Sequence, residues 1–191
     1  YNANLAKKEV DEYNLHVPFF DTAIPALLNM CYAGLGSYSK VKKELDKKGS
    51  TIMKETLLSK DLWNPVAMLA NDYKGIAEYD SALKYGLMAV DYNRKAPENK
   101  KYGFTYFIVA DTYVKTKQYQ KAIDYLFEGM PYLMKNNFAK DIAQAKLVYA
   151  QAFYGLKKYD SAIYYSNASN EMSNNISFID GILHSSELLS K

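Results

Sequence analysis

The sequence predicts an all-α fold, a right-handed superhelix of stacked antiparallel helical hairpins. The main observation is a spacing of small and aromatic residues that occurs three times, each copy displaced by forty positions. Its members are Ala70, Tyr73, Tyr79 and Ala82, then Ala110, Tyr113, Tyr119 and Ala122, then Ala150, Phe153, Tyr159 and Ala162. Self-similarity at such a period is typical of helical repeats that stack in series. We therefore expect a single solenoid domain over residues 1–191, with about four hairpins and an incomplete fifth.

One copy of the spacing explains the hairpin. Ala70 and Tyr73 lie three apart on a first helix, and Tyr79 and Ala82 lie three apart on a second. The segment 74–78 between them is too short to do more than reverse the chain. Two helices that cross this closely need small side chains at the contact, and we expect the tyrosine rings to fill the wedge near the turn.

The predicted elements follow in chain order. Residues 1–16 form an N-terminal capping helix or the remnant of an upstream repeat. A weaker copy of the spacing, built on Asn29, Tyr32, Tyr38 and Val41, predicts repeat 1 at 18–58. Repeats 2, 3 and 4 are predicted at 60–97, 100–136 and 139–174. Residues 177–191 have the pattern of the first helix of a fifth hairpin, so we expect the chain to be a piece of something longer.

These residues resemble the tetratricopeptide repeat (TPR) family. Its pattern has a small residue and an aromatic late in the first helix, an aromatic at the turn, Ala three residues later and a further small residue. The segments YDSALKYGLMA, YQKAIDYLFEG and YDSAIYYSNAS match it, with Ala89, Gly129 and Ser169 at the last small position. The early Trp of the family is replaced by Val66, Tyr106 and Lys146. The unit is also about six residues longer than the usual thirty-four.

The composition is consistent with a single hydrophobic core. The chain has 191 residues, 49% of them hydrophobic and 24% charged, which is enough to bury a continuous core. No apolar run is long enough to span a membrane, so we expect no membrane contact through this region. The net charge of +3 lies in Lys-rich turns such as 42–49, which favours solvated helix ends over nucleic-acid binding. The single cysteine, Cys31, excludes an internal disulfide.

The search for catalytic groups predicts no enzyme. His16 and His184 are far apart in a quasi-linear stack, and the sequence has no HExxH, CxxC, GxSxG or Gly-rich phosphate loop. Acidic residues occur at helix starts and turns rather than as a converging pair. We expect neither a metal ion nor a cofactor.

The resemblance implies where a partner would bind. In tetratricopeptide proteins the concave surface comes mainly from the first helix of each hairpin. Carried over by register, it comprises Asn71, Lys74, Phe104, Phe107, Asp111, Val114, Gln144, Leu147, Gln151 and Tyr154. Such a face suits an extended peptide whose backbone is bound by Asn71 and Gln151. The alternative is a face that is solvated or covered by another part of the same protein.

One version of the family can be set aside. Members that bind chaperone tails hold a terminal carboxylate with a Lys one turn before the inner Asn. Here that position holds Ala67, and the later copies have Phe107 and Leu147. A carboxylate desolvated there would lack a counter-ion, so a chaperone adaptor is not expected.

Three functions fit the repeats. Phrases such as YDSALKY look like the extracytoplasmic portions of bacterial membrane-anchored transcription regulators and histidine kinases, which implies a periplasmic sensor or scaffold segment. The second is a cytoplasmic peptide-sensing regulator. The third is a helical-repeat surface protein that binds glycans through Tyr154. We expect the partner to be a protein or peptide, with another domain of the same protein or a second copy in a homodimer among the alternatives.

Overall fold

The computed structural model describes residues 38–56, 63–98 and 101–190. Within these ranges the chain is all-α, with eight helices and no strand. They are α1 (Tyr38–Thr56), α2 (Trp63–Gly75), α3 (Tyr79–Lys95), α4 (Phe104–Lys115), α5 (Tyr119–Asn136), α6 (Ala139–Gly155), α7 (Tyr159–Asn175) and α8 (Ile179–Leu189). The helix predicted at 1–16 and the first half of repeat 1 lie outside the described residues.

Consecutive helices pack as hairpins, and the hairpins stack. The pairs α2–α3, α4–α5 and α6–α7 form the three hairpins, each joined by a short turn. We call α2, α4, α6 and α8 first helices, and α3, α5 and α7 second helices. Each first helix contacts the next first helix, and each second helix contacts the first helix that follows it. The predicted all-α, solenoid-like stack is therefore confirmed.

The recurring alanines lie where helices cross. Ala70, Ala110 and Ala150 of the first helices are fully buried, as are Ala82 and Ala122 of the second helices. In the hairpin α4–α5, a Cβ added at Gly129 would collide with the side chain of Tyr106. Small side chains thus allow the close crossing that the spacing predicted.

The aromatic wedge differs from the expectation in its second member. Tyr73 stacks on Tyr85, with ring centroids 5.4 Å apart, and the equivalent rings of Tyr113 and Tyr125 are 5.5 Å apart. Tyr119, the copy of Tyr79, instead packs against Gly155 at the end of the next first helix. Tyr119 therefore joins its hairpin to the next one along the stack.

The turns inside the three hairpins share one geometry. A residue with positive φ follows each first helix: Ala77 (59°), Lys117 (61°) and Lys157 (60°). The next amide donates to a carbonyl five residues earlier, as Glu78 N does to Tyr73 O at 3.0 Å. This is the Schellman arrangement, here built without glycine at the left-handed position. Within the described ranges no helix combines the length and apolar character needed to cross a membrane.

Candidate functional site

The ten residues predicted to face a partner are called here the inner-face set. They lie on α2, α4 and α6, three first helices that contact one another in order. Asn71, Asp111 and Gln151 occupy the same register, forty positions apart, and so do Lys74, Val114 and Tyr154. Equivalent side chains therefore follow one another along the stack as two rows.

The first part of the set is joined by an ion pair. Lys74 Nζ lies 2.6 Å from Asp111 Oδ2, which connects α2 to α4. The same ammonium group lies 5.3 Å from the centre of the Phe107 ring, and that ring stacks on Phe104 at 5.7 Å. Because its charge is compensated by Asp111, Lys74 is a poor receptor for a free carboxylate.

Three amides of the set are available to a ligand. Asn71, Gln144 and Gln151 are each partly exposed. Their side chains have no hydrogen-bond partner within the part of the chain that the structure describes. An amide offers two donors and one acceptor oxygen, which matches the alternating groups of a peptide backbone.

Other members of the set offer little surface. Phe107 and Leu147 are 6% and 8% exposed, because they share the register of Ala67, which faces the core. Phe104 and Val114 are partly buried against the core. The structure thus brings the aromatic members of α4 together as packing groups and leaves the amides and Tyr154 accessible.

Tyr154 belongs to a pocket that the sequence analysis did not identify. Its ring meets Tyr159 edge-on, with centroids 5.7 Å apart. The pocket has a volume of about 200 Å³ and is mostly apolar, and Ile163 and Leu189 also line it. The sequence contained one signal for this pocket, the apolar residues that follow Tyr159 in the repeat pattern. Whether such residues are exposed depends on the neighbouring hairpin.

The core tyrosines are neutral packing groups. Burial raises the pKa of Tyr73 and of Tyr149, and it raises the pKa of Tyr106 to about 12. All three stay protonated near neutral pH, so they are unsuited to acid–base work there. In the described ranges no group of three or more His, Cys, Asp or Glu side chains is arranged to hold a metal ion.

Comparisons with known proteins support the fold. No protein-family model matches the sequence, and no curated protein matches it. The crystal structure of BtubC (BKLC) from P. vanneervenii is similar with a TM-score of 0.68 at 13% identity, over 99% of this chain and 81% of that one. A second similar structure is a Signal Transduction ATPase with Numerous Domains (STAND) protein with a tetratricopeptide repeat sensor, from Pyrococcus horikoshii. Its TM-score is 0.67 at 23% identity, over 96% of this chain and 29% of that one. At these identities the likeness is one of fold, and that fold is a tetratricopeptide-like helical stack.

Proposed function

We propose that the chain is a non-enzymatic module that binds a protein or an extended peptide. The observation that carries the proposal is a set of accessible amides on two first helices, Asn71 on α2 and Gln144 and Gln151 on α6. Each can donate to a peptide carbonyl and accept from a peptide N–H without regard to the ligand's side chains. Helical stacks with this fold generally mediate interactions between proteins.

The inner face also suggests the character of the peptide. The ion pair between Lys74 and Asp111 leaves no uncompensated charge among the members on α2 and α4. A ligand side chain that lies there meets the partly buried Phe104 and the partly exposed Lys74. The proposed ligand is therefore an extended segment with few charges, read mainly through its backbone.

In the cell, we place this module in the sensor or scaffold part of a larger bacterial signal-transduction or transcription-regulatory protein. The similar protein from Pyrococcus horikoshii is described as having a tetratricopeptide repeat sensor, which supports a sensor role by analogy of fold. The proposal places the segment outside the cytoplasm, in a membrane-anchored protein. Its alternative is a cytoplasmic peptide-sensing regulator.

A glycan-binding surface protein is the second candidate. The observation that favours it is the exposed ring of Tyr154 beside Tyr159, since a pair of accessible aromatic rings can stack on a sugar. This candidate requires the pocket end of the stack, whereas the peptide candidate requires the amides.

Peptide selection tests the proposal. Peptides selected from a random display library on the wild-type chain are measured against the double variant Asn71→Ala/Gln151→Ala. Each lost hydrogen bond is worth about 0.5–1.5 kcal/mol, so we expect the affinity to fall about tenfold or more. The matched control is Asn167→Ala/Asn175→Ala, which removes two exposed amides from α7.

Two outcomes contradict the peptide candidate. The first is selected peptides that bind the inner-face double variant as tightly as they bind the wild type. The second is a chain that selects no peptide but binds a sugar array, with binding lost in Tyr154→Ala. That second result supports the glycan candidate in its place.

A further inference from the structure

The long connection between α3 and α4 brings a tyrosine ring to the edge of the inner face. Asn93, fully buried near the end of α3, hydrogen-bonds both backbone groups of Tyr102. The Tyr102 ring lies beside Phe104 of the inner-face set, with ring centroids 6.4 Å apart. The backbone that carries this ring is therefore held in place by a buried side chain.

Helix α6 adds a second ring and a carboxylate. Phe138 immediately precedes α6 and is 53% exposed. Its ring meets the Tyr102 ring edge-on, at 71° and with centroids 6.2 Å apart. Asp141 follows Phe138 by three residues, in the first turn of α6, so the two side chains are neighbours on the helix. We call the cluster of Tyr102, Phe138 and Asp141 the ring–carboxylate site.

The carboxylate of this site has no cation bound to it. Asp141 is partly buried and has no hydrogen-bond or ion-pair partner among the residues that the structure describes. The neighbouring Lys140 is directed elsewhere, with its Nζ 4.9 Å from the centre of the Phe178 ring. Burial, and then the charge of Asp141, raises the pKa of Tyr102, which agrees with a carboxylate close to that ring. A negative charge beside two aromatic rings favours the binding of a cation.

The chain itself shows which cation such a combination holds. Arg94 donates to both carboxylate oxygens of Glu128, at 2.7 and 2.6 Å, and its guanidinium carbon lies 5.8 Å from the centre of the Tyr125 ring. A guanidinium group suits this pairing because it is planar, donates in pairs to a carboxylate and stacks on aromatic rings. Arg94 is the only arginine among the 191 residues. The ring–carboxylate site thus has the same two components and no arginine of the chain to fill it.

We propose that the ring–carboxylate site binds an arginine side chain of the peptide that the inner face receives. This inference rests on the proposed peptide-binding function and names one residue of the ligand. Gln144 follows Asp141 by three residues on α6, so the amide and the carboxylate are neighbours. A peptide backbone bound by Gln144 extends its arginine to Asp141 and places the guanidinium against the exposed ring of Phe138. One arginine is compatible with a segment that carries few charges.

A small cation tests the site without the rest of the peptide. N-acetyl-arginine methylamide is titrated into the ¹⁵N-labelled chain at constant ionic strength, and the backbone amide shifts of Tyr102, Phe138 and Asp141 are followed. We expect saturable shifts with a dissociation constant of about 1–10 mM. Asp141→Asn is expected to weaken binding about tenfold, because it removes the charged acceptor. Phe138→Leu keeps an apolar side chain without the ring and is expected to weaken binding about threefold.

Each variant has a matched control. Asp160→Asn removes a first-turn carboxylate from α7, and Phe127→Leu removes a ring on α5 that is 78% exposed. Both are expected to bind the probe as tightly as the wild type does. N-acetyl-lysine methylamide is expected to bind more weakly than the arginine probe, because an ammonium group does not stack on a ring or donate as a planar pair. Circular dichroism melting checks that all four variants fold.

The selected peptides provide a second measurement. Replacing their arginine with citrulline, which has a similar shape and no charge, is expected to weaken binding to the wild type about tenfold. The same replacement is expected to leave binding to Asp141→Asn unchanged, because the two changes remove one interaction. Asn71→Ala/Gln151→Ala is expected to bind N-acetyl-arginine methylamide normally. Failure of this site and failure of the proposed peptide-binding function are therefore separable.

Four results would overturn the proposal. They are the absence of saturable shifts up to about 100 mM probe, equal binding by Asp141→Asn and the wild type, equal binding of the lysine and arginine probes, and tighter binding of the arginine probe by Lys100→Ala. Lys100 lies outside the described residues, forty positions before Lys140. The last result would assign the site to that lysine of the chain.

Discussion

Two junctions of the stack use different chemistry for the same geometry. Between the hairpins α2–α3 and α4–α5, Lys74 pairs with Asp111 at 2.6 Å and Arg94 pairs with Glu128 at 2.6 Å. The corresponding positions of the next junction, between α4–α5 and α6–α7, hold Val114, Gln151, Met134 and Ala168. Both junctions keep the same order of helix contacts, so the ion pairs are not required for stacking.

For the pair of Arg94 and Glu128, exposure explains why. The side chains of Arg94 and Glu128 are 47% and 38% exposed, and such pairs contribute only about 0–1 kcal/mol. Burial of small and aromatic residues at both junctions supplies the larger share of the stability. Charges therefore set how one junction responds to salt and pH, while shape determines that the hairpins stack.

The junctions also differ at one buried position of the second helix. Asn93 is fully buried, its Nδ2 donates to Tyr102 O at 3.1 Å, and its Oδ1 accepts from Tyr102 N at 2.9 Å. The connection that contains Tyr102 runs from Lys95 to Phe104, whereas α5 and α6 are separated by two residues. The short connection leaves no loop backbone to satisfy, and the equivalent residue is Leu133. Between these two junctions the polar side chain accompanies the longer connection, although the next equivalent, Ser173, is also buried and is followed by only a short connection between Asn175 and Ile179.

Exchanging these two residues is expected to have the largest effect. Leu133→Asn buries an amide that has no loop backbone to bind, unlike Asn93, which binds Tyr102. We therefore expect the free energy of unfolding to fall by about 3 kcal/mol. Asn93→Leu leaves Tyr102 N–H without its acceptor and costs about 2 kcal/mol. Urea denaturation followed by circular dichroism measures both.

The exposed amide Asn167 supplies the control for this exchange. Asn167→Leu is expected to change the free energy of unfolding by less than about 0.5 kcal/mol. If Leu133→Asn is as stable as the wild type, the link between connection length and the polarity of this position is wrong.

Replacing the inner ion pair is expected to have an intermediate effect. Lys74→Val leaves Asp111 partly buried without its counter-ion, so we expect a loss of about 1–2 kcal/mol. The double variant Lys74→Val/Asp111→Gln installs the residues of the next junction. It is expected to return within about 0.5 kcal/mol of the wild type in the same urea experiment. A double variant no more stable than the single one would show that the two junctions are not interchangeable.

The fold was predictable because the repeat spacing constrains it directly. Ala70, Ala110 and Ala150 sit where helices cross, and only a small residue fits there, so the spacing carries the geometry. The stacking partner of Tyr73 was not predicted, although Tyr85, Tyr125 and Tyr165 recur at the same period. Repeat boundaries at 60–97, 100–136 and 139–174 and the absence of enzymatic activity stay predictions.

For the candidate site, the register of the residues was predictable from the sequence, but the burial of their side chains was not. Register placed Phe107 and Leu147 beside the amides, yet these side chains pack inward, because the depth of a residue depends on the neighbouring hairpin. The partner of Lys74 is 37 residues away and results from how two hairpins meet. The left-handed turns at Ala77 and Lys117 carry no glycine to signal them, since the backbone hydrogen bonds of the turn offset the cost of positive φ.

The smallest expected effect is the pH response of the outer ion pair. Hydrogen bonding to Arg94, and then to Tyr106, holds the pKa of Glu128 below its ordinary value against the opposing effect of burial. A carboxylate with a lowered pKa stabilises the fold above its unfolded pKa, and this contribution disappears as the pH falls through the folded pKa. The wild type should therefore exceed Glu128→Gln in stability near neutral pH, by less than about 1 kcal/mol, and the difference should vanish in acid.

Asp72 supplies a control with the opposite sign. Burial raises its pKa despite the nearby Lys48, so ionisation of Asp72 costs stability as the pH rises through the interval between its unfolded and folded pKa values. Relative to Asp72→Asn, the wild type should lose stability with rising pH, whereas relative to Glu128→Gln it should gain. Urea denaturation at a series of pH values measures both slopes. Equal slopes would mean that exposure and pairing do not distinguish these two carboxylates, and that the ion-paired junction owes its pH response to another group.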